Sequence, residues 1–293
     1  MRGGLLVFLV ASAFLAGCSG GPGGLGGGAG GPVEEARALI EQGDYDGALA
    51  RLGSGEDPES LYLFGRAWAG KAATAGAGGP GAGLGPEELR ALDFLERAIA
   101  ARPDHAGAHL AAAELLAPHV PAPGTSDAAA SAPDAAPGPV VTADGVLGEY
   151  GAAVQADPAD KESVEALIQF AIRMERPRDA EAGFQELTRR DREDPDLLVR
   201  FGDFLVGPGG GDSEAALGVY AQAVMWRPDD SETHLKMADI HIAAAQRHVG
   251  EREFVAAERR LREARKNVVD PGSPQASDLR RVERELADVS GRR

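Results

Sequence analysis

A small–large–small pattern followed by proline recurs three times in this chain, and it limits the possible fold more than any other sequence feature. The copies are Ala91-Leu95-Ala98-Pro103, Val146-Tyr150-Ala153-Pro158 and Ala216-Tyr220-Ala223-Pro228. These spacings place the first three side chains of each copy on one face of an α-helix, and the proline then ends the helix. The pattern therefore predicts repeated helices that each stop at a fixed point.

A second apolar series begins six residues after each proline, at His109, Val164 and His234. Its members recur at helical spacing, so each patterned helix leads by a short turn into another helix. Aromatic residues make up only 5% of the chain, so the core must be built largely from alanine, leucine and valine. Such small side chains require closely approaching helices. The sequence thus predicts an all-α chain of tandem helical pairs.

The same segments resemble the tetratricopeptide repeat family. The resemblance lies in apolar, small and aromatic positions of its first helix and in the start of its second: Leu61, Phe64, Gly65 and Trp68; Leu198, Phe201, Gly202 and Leu205; Gly43, Tyr45 and Ala48; and, less fully, Ala180 and Ala257. Val164 and Leu198 are separated by 34 residues, the family's period. The resemblance implies an all-α, tetratricopeptide-type α-solenoid over residues 33–293, with about five repeats, an abbreviated first unit and a closing helix at residues 277–289.

Low-complexity insertions interrupt the repeats. Residues 70–86 and 118–145 are rich in glycine, alanine and proline, and shorter insertions are expected at residues 207–212 and around 246–251. Loop closure costs grow only with the logarithm of length, so stacked helices tolerate such loops. Their composition predicts disorder in the two long insertions, and no secondary structure is assigned to residues 121–139. They are interpreted as linkers, with binding loops as the alternative.

The amino terminus has the features of an export signal. Arg2 precedes an apolar run at residues 5–15, which is too short to span a bilayer as a helix. Leu15-Ala16-Gly17-Cys18 resembles the bacterial lipobox, which implies removal of residues 1–17 and lipidation of Cys18. An ordinary cleaved signal that leaves a free thiol is the alternative. Residues 18–32 are glycine-rich and are expected to form a flexible tether of roughly 20 Å.

Several functional classes find no support. A net charge of −16 opposes binding to nucleic acid. Two G-x-G-x-x-G strings, at residues 21–26 and 76–81, follow no strand, and residues 65–72 lack the hydroxyl that a phosphate-binding loop places after its lysine. The spacing of His234, His241 and His248 is too long for one ion, and the pair His105 and His109 lacks a third ligand. The chain is therefore expected to have no enzymatic activity, cofactor, metal or small-molecule substrate.

The resemblance implies that partner proteins bind the concave face, which the first helices line. The side chains that it selects are Tyr62, Arg66, Glu114, Glu165, Gln169, Arg173, Asp203, Leu235, Asp239 and Ile242. A groove so lined should accept a peptide that carries basic and some apolar side chains, although these residues could equally be solvated helix faces.

The predicted function is a membrane-anchored scaffold of the bacterial cell envelope that docks other envelope proteins. The anchor would be the lipidated Cys18, and a periplasm-facing outer-membrane location is favoured over the inner membrane. At the level of architecture the chain resembles lipoproteins that assist pilus secretin assembly or outer-membrane protein insertion. The alternative is a non-catalytic regulatory adaptor of cell-wall synthases or hydrolases.

Overall fold

The computed structural model of the chain describes residues 31–76, 83–124, 140–268 and 270–291. These residues form thirteen α-helices and one short 3-10 turn (Ala117–His119), with no β-strand among them. The helices are α1 (Pro32–Glu41), α2 (Tyr45–Leu52), α3 (Pro58–Ala75), α4 (Pro86–Ala101), α5 (Ala106–Leu116), α6 (Ala143–Ala156), α7 (Lys161–Arg173), α8 (Pro177–Arg190), α9 (Pro195–Val206), α10 (Ser213–Trp226), α11 (Ser231–Gly250), α12 (Phe254–Asn267) and α13 (Pro274–Ser290). None of the described helices is both long enough and apolar enough to cross a bilayer.

Local sequence signals explain where the helices begin and end. Asp57, Asp160, Asp194 and Asp230 each accept a hydrogen bond from a backbone N–H of the helix that follows, which satisfies a donor left free at its first turn. Helices α4, α6 and α10 each end two residues before the proline of the recurring pattern. The predicted stop signals are therefore confirmed.

The helices pack as successive hairpins. Each odd-numbered helix from α1 to α11 contacts the even-numbered helix that follows it, and α13 closes the stack against α11 and α12. The described residues thus form six pairs, where the sequence predicted about five repeats, because the insertions hide the period in the first half of the chain. The fold is an all-α, tetratricopeptide-type α-solenoid.

Small residues allow the close approach that this stacking needs. A Cβ added to Gly65 would lie 2.5 Å from Leu95 Cγ, and one added to Gly202 would lie 2.4 Å from the Cε1 atom of Tyr220. The small members of the recurring pattern are all at most 1% exposed: Ala91, Ala98, Val146, Ala153, Ala216 and Ala223. The role predicted for these residues in helix contact is confirmed.

The insertions are shorter than the composition suggested. Residues 70–75 continue α3, because the alanines there favour helix, and residues 143–145 belong to α6, which Thr142 caps. The loop at residues 207–212 lies where it was predicted, whereas the residues around 246–251, expected to be an insertion, extend helix α11 to Gly250, where Val249 is buried. Residues 125–139, most of the segment predicted without secondary structure, lie outside the described residues.

The predicted signal at residues 1–17, Cys18 and most of the tether also lie outside the described residues. Pro32, assigned to the tether, instead begins α1, with Gly31 at the N-cap. Proline is favoured at the first position of a helix because its missing N–H would have no partner there.

Candidate protein-binding surface

The first helices of neighbouring pairs approach each other at the amino-terminal end of the described stack, and α11 approaches the closing helix α13 at the other end. Backbone contacts join α1 to α3, α3 to α5 and α11 to α13, whereas within the described ranges no two second helices of neighbouring pairs contact each other as closely. We take the face of the first helices as the candidate surface, which the resemblance to tetratricopeptide repeats implies to be concave.

One exposed residue occupies the same place in five successive first helices, directly after a buried one. These residues, which we call the inner row, are Arg66 of α3, Glu114 of α5, Gln169 of α7, Asp203 of α9 and Asp239 of α11. The buried residues that precede them are Gly65, Ala113, Ile168, Gly202 and Ala238. All five members of the inner row were predicted as site residues, and the structure places them in register.

At the amino-terminal end the surface begins with an aromatic and a cation. The Arg66 Nη1 atom donates a hydrogen bond of 2.9 Å to the Tyr62 hydroxyl, and its guanidinium lies 5.9 Å from the centre of that ring. The half-buried Tyr62 ring packs against His105, with ring centres 4.8 Å apart. Tyr62 is thus fixed from both sides, while Arg66 stays exposed.

Glu114 lies next in the inner row, in a crowded but open position. Its carboxylate retains surface exposure, yet burial among its neighbours, reinforced by the negative charge of Glu162, raises its pKa against the influence of Arg66. No described residue lies within hydrogen-bonding or ion-pairing distance of this carboxylate. Glu114 is therefore a charge without a fixed partner.

Tyr150 of α6 and Arg173 of α7 complete this end of the surface. Burial, followed by the charge of Glu114, raises the pKa of Tyr150 to about 12, while Arg173 opposes the shift. Arg173 donates a hydrogen bond of 2.8 Å to the Ala117 carbonyl and lies 4.9 Å from the centre of the Phe170 ring. We call Tyr62, Arg66, Glu114, Gln169 and Arg173 the open section, because its acidic and amide groups have no protein partner among the described residues.

Farther along the stack, acidic groups pair with the next first helix. Both oxygens of Glu165 accept hydrogen bonds from Arg200, at 2.9 and 2.6 Å. Both oxygens of Asp203 accept from Lys236 Nζ, at 2.8 and 2.7 Å. These pairs connect α7 to α9 and α9 to α11. Glu165 and Asp203, both predicted to face a partner, are therefore already paired with basic side chains of the same chain.

Two further contacts extend the same arrangement. Asp203 also accepts a hydrogen bond of 2.6 Å from the Tyr220 hydroxyl, and Asp239 accepts one of 3.1 Å from Gln275 of α13. Burial, together with the hydrogen bond to Asp203, raises the pKa of Tyr220. We call Glu165, Asp203 and Asp239 the paired section.

The two apolar residues predicted for the surface behave differently. Leu235 is half-buried, but Ile242 is only 5% exposed and packs in a core cluster with Ala245, Val249 and Ala257. The assignment of Ile242 to the surface is wrong, because the residue packs against side chains of α12 and α13. Ile242 contributes to stability and offers no side chain to a partner.

Sequence reasoning missed Arg200, Lys236, Gln275 and Glu162. Arg200 and Lys236 both lie two residues before the small residue of their helix, and each stands about one repeat period after the acid it binds. An acidic and a basic residue about one repeat period apart are thus the sequence signal that could have identified Arg200 and Lys236. Nothing in the local sequence marks Glu162 or Gln275.

His109 and His234 occupy structural positions, and the glycine motifs lie in a helix or fall largely outside the described residues. His109 bridges Glu149 and the Pro103 carbonyl, at 2.7 and 2.9 Å, and His234 bridges Asn267 and the Pro228 carbonyl, both at 3.0 Å. Residues 65–72 lie within α3 and form no phosphate-binding loop. One glycine string lies in residues 1–30 and the other largely in residues 77–82, neither of which the structure describes.

The chain is similar to several proteins of known structure. It is similar to MamA (residue 41 to the end) from Desulfovibrio magneticus RS-1 at 19% identity and a TM-score of 0.40, over 69% of this chain and 98% of that one. It is similar to YrrB, described as a TPR protein with an unusual peptide-binding site, at 15% identity and a TM-score of 0.41, over 85% and 99% of the two chains. A TPR repeat-containing protein from Cytophaga hutchinsonii gives 10% identity and a TM-score of 0.46, over 85% and 86%.

No protein-family model matches the sequence, and no curated protein matches it significantly. The solenoid architecture follows from the packing of this chain's own helices.

Proposed function

We propose that this chain is a non-catalytic protein-binding scaffold, anchored to a bacterial envelope membrane through a lipidated Cys18, that docks a peptide segment of a partner on its inner row. The observation that carries the proposal is the register of the inner row, which presents one accessible side chain from each of five successive helices. Such a row can follow an extended or helical peptide along its length.

The open section is the part of this surface best suited to a partner. Glu114 forms no hydrogen bond or ion pair with a described residue, and Glu162 adds a second acid nearby, so a lysine or arginine of a peptide could pair with Glu114 without displacing a bonded side chain. The Tyr62 ring and the half-buried Leu235 offer apolar contact at the two ends of the surface. In the paired section a basic side chain would have to displace Arg200 or Lys236. Docking should therefore depend most on the open section.

Site-specific photo-cross-linking in cells tests the surface. A photoreactive amino acid replaces Gln169, an exposed member of the inner row, and in the matched control it replaces Gln222, an exposed glutamine on the second helix α10. Cross-linking to the same envelope protein from position 169 but not from position 222 is expected. Equal cross-linking from both positions would contradict docking on the concave face.

The identity of the cross-linked protein separates the two envelope functions. A secretin, a pilus component or an outer-membrane assembly protein supports an assembly scaffold. A cell-wall synthase or hydrolase supports the alternative, a regulatory adaptor, which is proposed because the acidic groove suits either partner. Fractionation of the Cys18→Ala variant tests the anchor: the wild-type chain should sediment with membranes and the variant should not.

A further inference from the structure

Three potential metal ligands converge at the turn between α11 and α12. The His248 Nδ1 atom lies 2.8 Å from an oxygen of Glu253 and 3.7 Å from an oxygen of Glu251. The three ligand atoms all lie within 4.8 Å of one another, and the described residues contain no other such group. This turn is distant in sequence from the open section, and its chemistry is independent of the proposed docking.

A simple ion pair accounts for only part of this arrangement. One nitrogen carries at most one proton, yet it faces two carboxylates, and no described lysine or arginine lies within ion-pairing distance of Glu251 or Glu253. Even a protonated His248 would leave one negative charge uncompensated. The turn therefore holds an excess of negative charge beside a nitrogen ligand.

The Glu253 side chain also does not cap the helix that follows it. It occupies the N-cap of α12 without accepting a backbone hydrogen bond there, whereas Asp212 and Asp230 cap the two preceding helices with their side chains. The Glu253 carboxylate instead points back to His248. This orientation brings ligands from the end of one helix and the start of the next to a single point.

The spacing of the ligand atoms suits a first-row divalent ion. Zinc binds imidazole nitrogen and carboxylate oxygen at about 2.0–2.2 Å, so tetrahedral ligands are separated by roughly 3.3 Å. The measured separations from His248 of 2.8 and 3.7 Å lie on either side of that value. Small side-chain rotations would equalise them, and the exposure of both glutamates leaves room for a water ligand.

The other histidine–carboxylate pairs lack these features. His109 contacts one carboxylate, and its second nitrogen is occupied by the Pro103 carbonyl. His119 and Glu88 are 2.9 Å apart but are almost completely buried. We propose that His248, Glu251 and Glu253 form a Zn²⁺ site that joins α11 to α12. The expectation of no metal site considered His248 only in its row with His234 and His241, and did not include the two carboxylates that the turn brings to it.

Isothermal titration with zinc chloride tests the site. The protein is the full chain in a Cys18→Ser background, without a histidine tag, so that neither a free thiol nor a tag competes for zinc. Saturable binding of one ion per chain is expected. His248→Ala and the nearly isosteric Glu253→Gln should each weaken binding at least tenfold, and zinc should raise the Tm of the parent chain but not of these variants.

Glu149→Gln is the matched control, because it removes the carboxylate from the histidine pair that lacks a third ligand, and its zinc affinity should equal that of the parent. All variants are first compared by circular dichroism, and the exposed turn residues should leave the helical signal unchanged. Absence of saturable binding up to millimolar zinc would overturn the proposal. So would unchanged affinity in the Glu251→Gln/Glu253→Gln double variant.

Discussion

The open and paired sections are built from equivalent positions of the same repeat, yet they use charge differently. In the paired section Glu165 and Asp203 each bind a side chain of the next first helix, and Asp239 binds one of the closing helix α13. In the open section Glu114 and Gln169 have no such contact among the described residues. A repeat can thus use one position either to join neighbouring units or to face a partner.

This difference has an energetic basis. An exposed ion pair contributes about 0–1 kcal/mol, and in a solenoid such contacts add to the interface between adjacent units. A charge that is left unpaired contributes nothing to stacking but remains available for binding. Substitutions in the paired section should therefore change the stability of the fold. Substitutions in the open section should change the affinity for a partner.

The largest expected effect comes from the helix contact beneath the paired section. Gly202→Ala would place a Cβ 2.4 Å from the ring of Tyr220, which is only 2% exposed and cannot move aside easily. We expect a loss of about 2–3 kcal/mol in the free energy of unfolding. Urea denaturation followed by circular dichroism measures it.

Gly218→Ala in α10 is the matched control, because an added Cβ there meets nothing within 4 Å. It should leave stability unchanged or raise it by up to about 1 kcal/mol through helix propensity. If the two alanine variants unfold alike, close packing at Gly202 does not hold the paired section together.

The comparison is tested more directly by removing one acid from each section. Asp203→Ala removes the acceptor of the Tyr220 hydroxyl and the partner of Lys236, and should lower stability by about 1–2 kcal/mol. Glu114→Gln should not destabilise the protein: since the pKa of Glu114 is raised in the folded state, its ionised form disfavours folding at neutral pH. Chemical denaturation at pH 7 compares the two variants.

Binding should show the opposite order. Glu114→Gln is expected to weaken capture of the partner that is cross-linked through position 169, because it removes the one carboxylate of the open section, which no described side chain binds. Asp203→Ala should leave that capture nearly unchanged in protein that is still folded. The reverse order in both measurements would contradict the division into two sections.

The sequence predicted the repeat, the helix ends and the small contact residues because each rests on local rules. The proline stops after Ala101, Ala156 and Trp226 follow from backbone geometry, and the contacts of Gly65 and Gly202 follow from side-chain size. These features need only the spacing of residues within one helix, which the chain displays directly.

Whether each surface charge is paired with another side chain could not be predicted from such local rules. Glu114 and Asp203 look equivalent in the sequence, and only the position of the neighbouring first helix decides that Lys236 reaches one while no cation is fixed on the other. Ile242 was wrongly predicted to be exposed for a related reason, since its burial depends on how α12 and α13 pack against α11. Contacts between repeats therefore cannot be predicted from the spacing of residues within one repeat.

A smaller effect should distinguish the caps of the two sections. Asp194 and Asp230 cap α9 and α11, whereas in the open section His105 caps α5 by accepting a hydrogen bond from Ala108 N through Nδ1. Burial, helped by the charge of Arg102 and opposed by Glu59, lowers the pKa of His105. The folded state therefore favours the neutral ring, which alone can accept this bond.

Stability from this cap should be complete above the unfolded pKa of 6.5 and should be lost as the pH falls below it, by about 1 kcal/mol. His105→Asn keeps an acceptor that does not titrate, so its free energy of unfolding should fall less than that of the parent between pH 7.5 and pH 5. Parallel pH profiles for the two proteins would show that His105 is not the titrating cap. The lowered pKa of His241, caused first by burial, adds a similar decline to both profiles.

The smallest expected effect is the coupling between Glu165 and Arg200, the bidentate pair that joins α7 to α9. A double-mutant cycle with Glu165→Gln and Arg200→Gln should give a coupling of about 0.5–1 kcal/mol, at the upper end for exposed pairs because both oxygens are engaged. The same cycle on Arg66 and Glu114 should give a smaller coupling, since no hydrogen bond fixes those two groups together. Added salt should reduce the first coupling and leave little difference between the cycles. A coupling for Arg66 and Glu114 as large as that of Glu165 and Arg200 would mean that the open section is also held by charge, and that a partner must break an existing interaction to bind there.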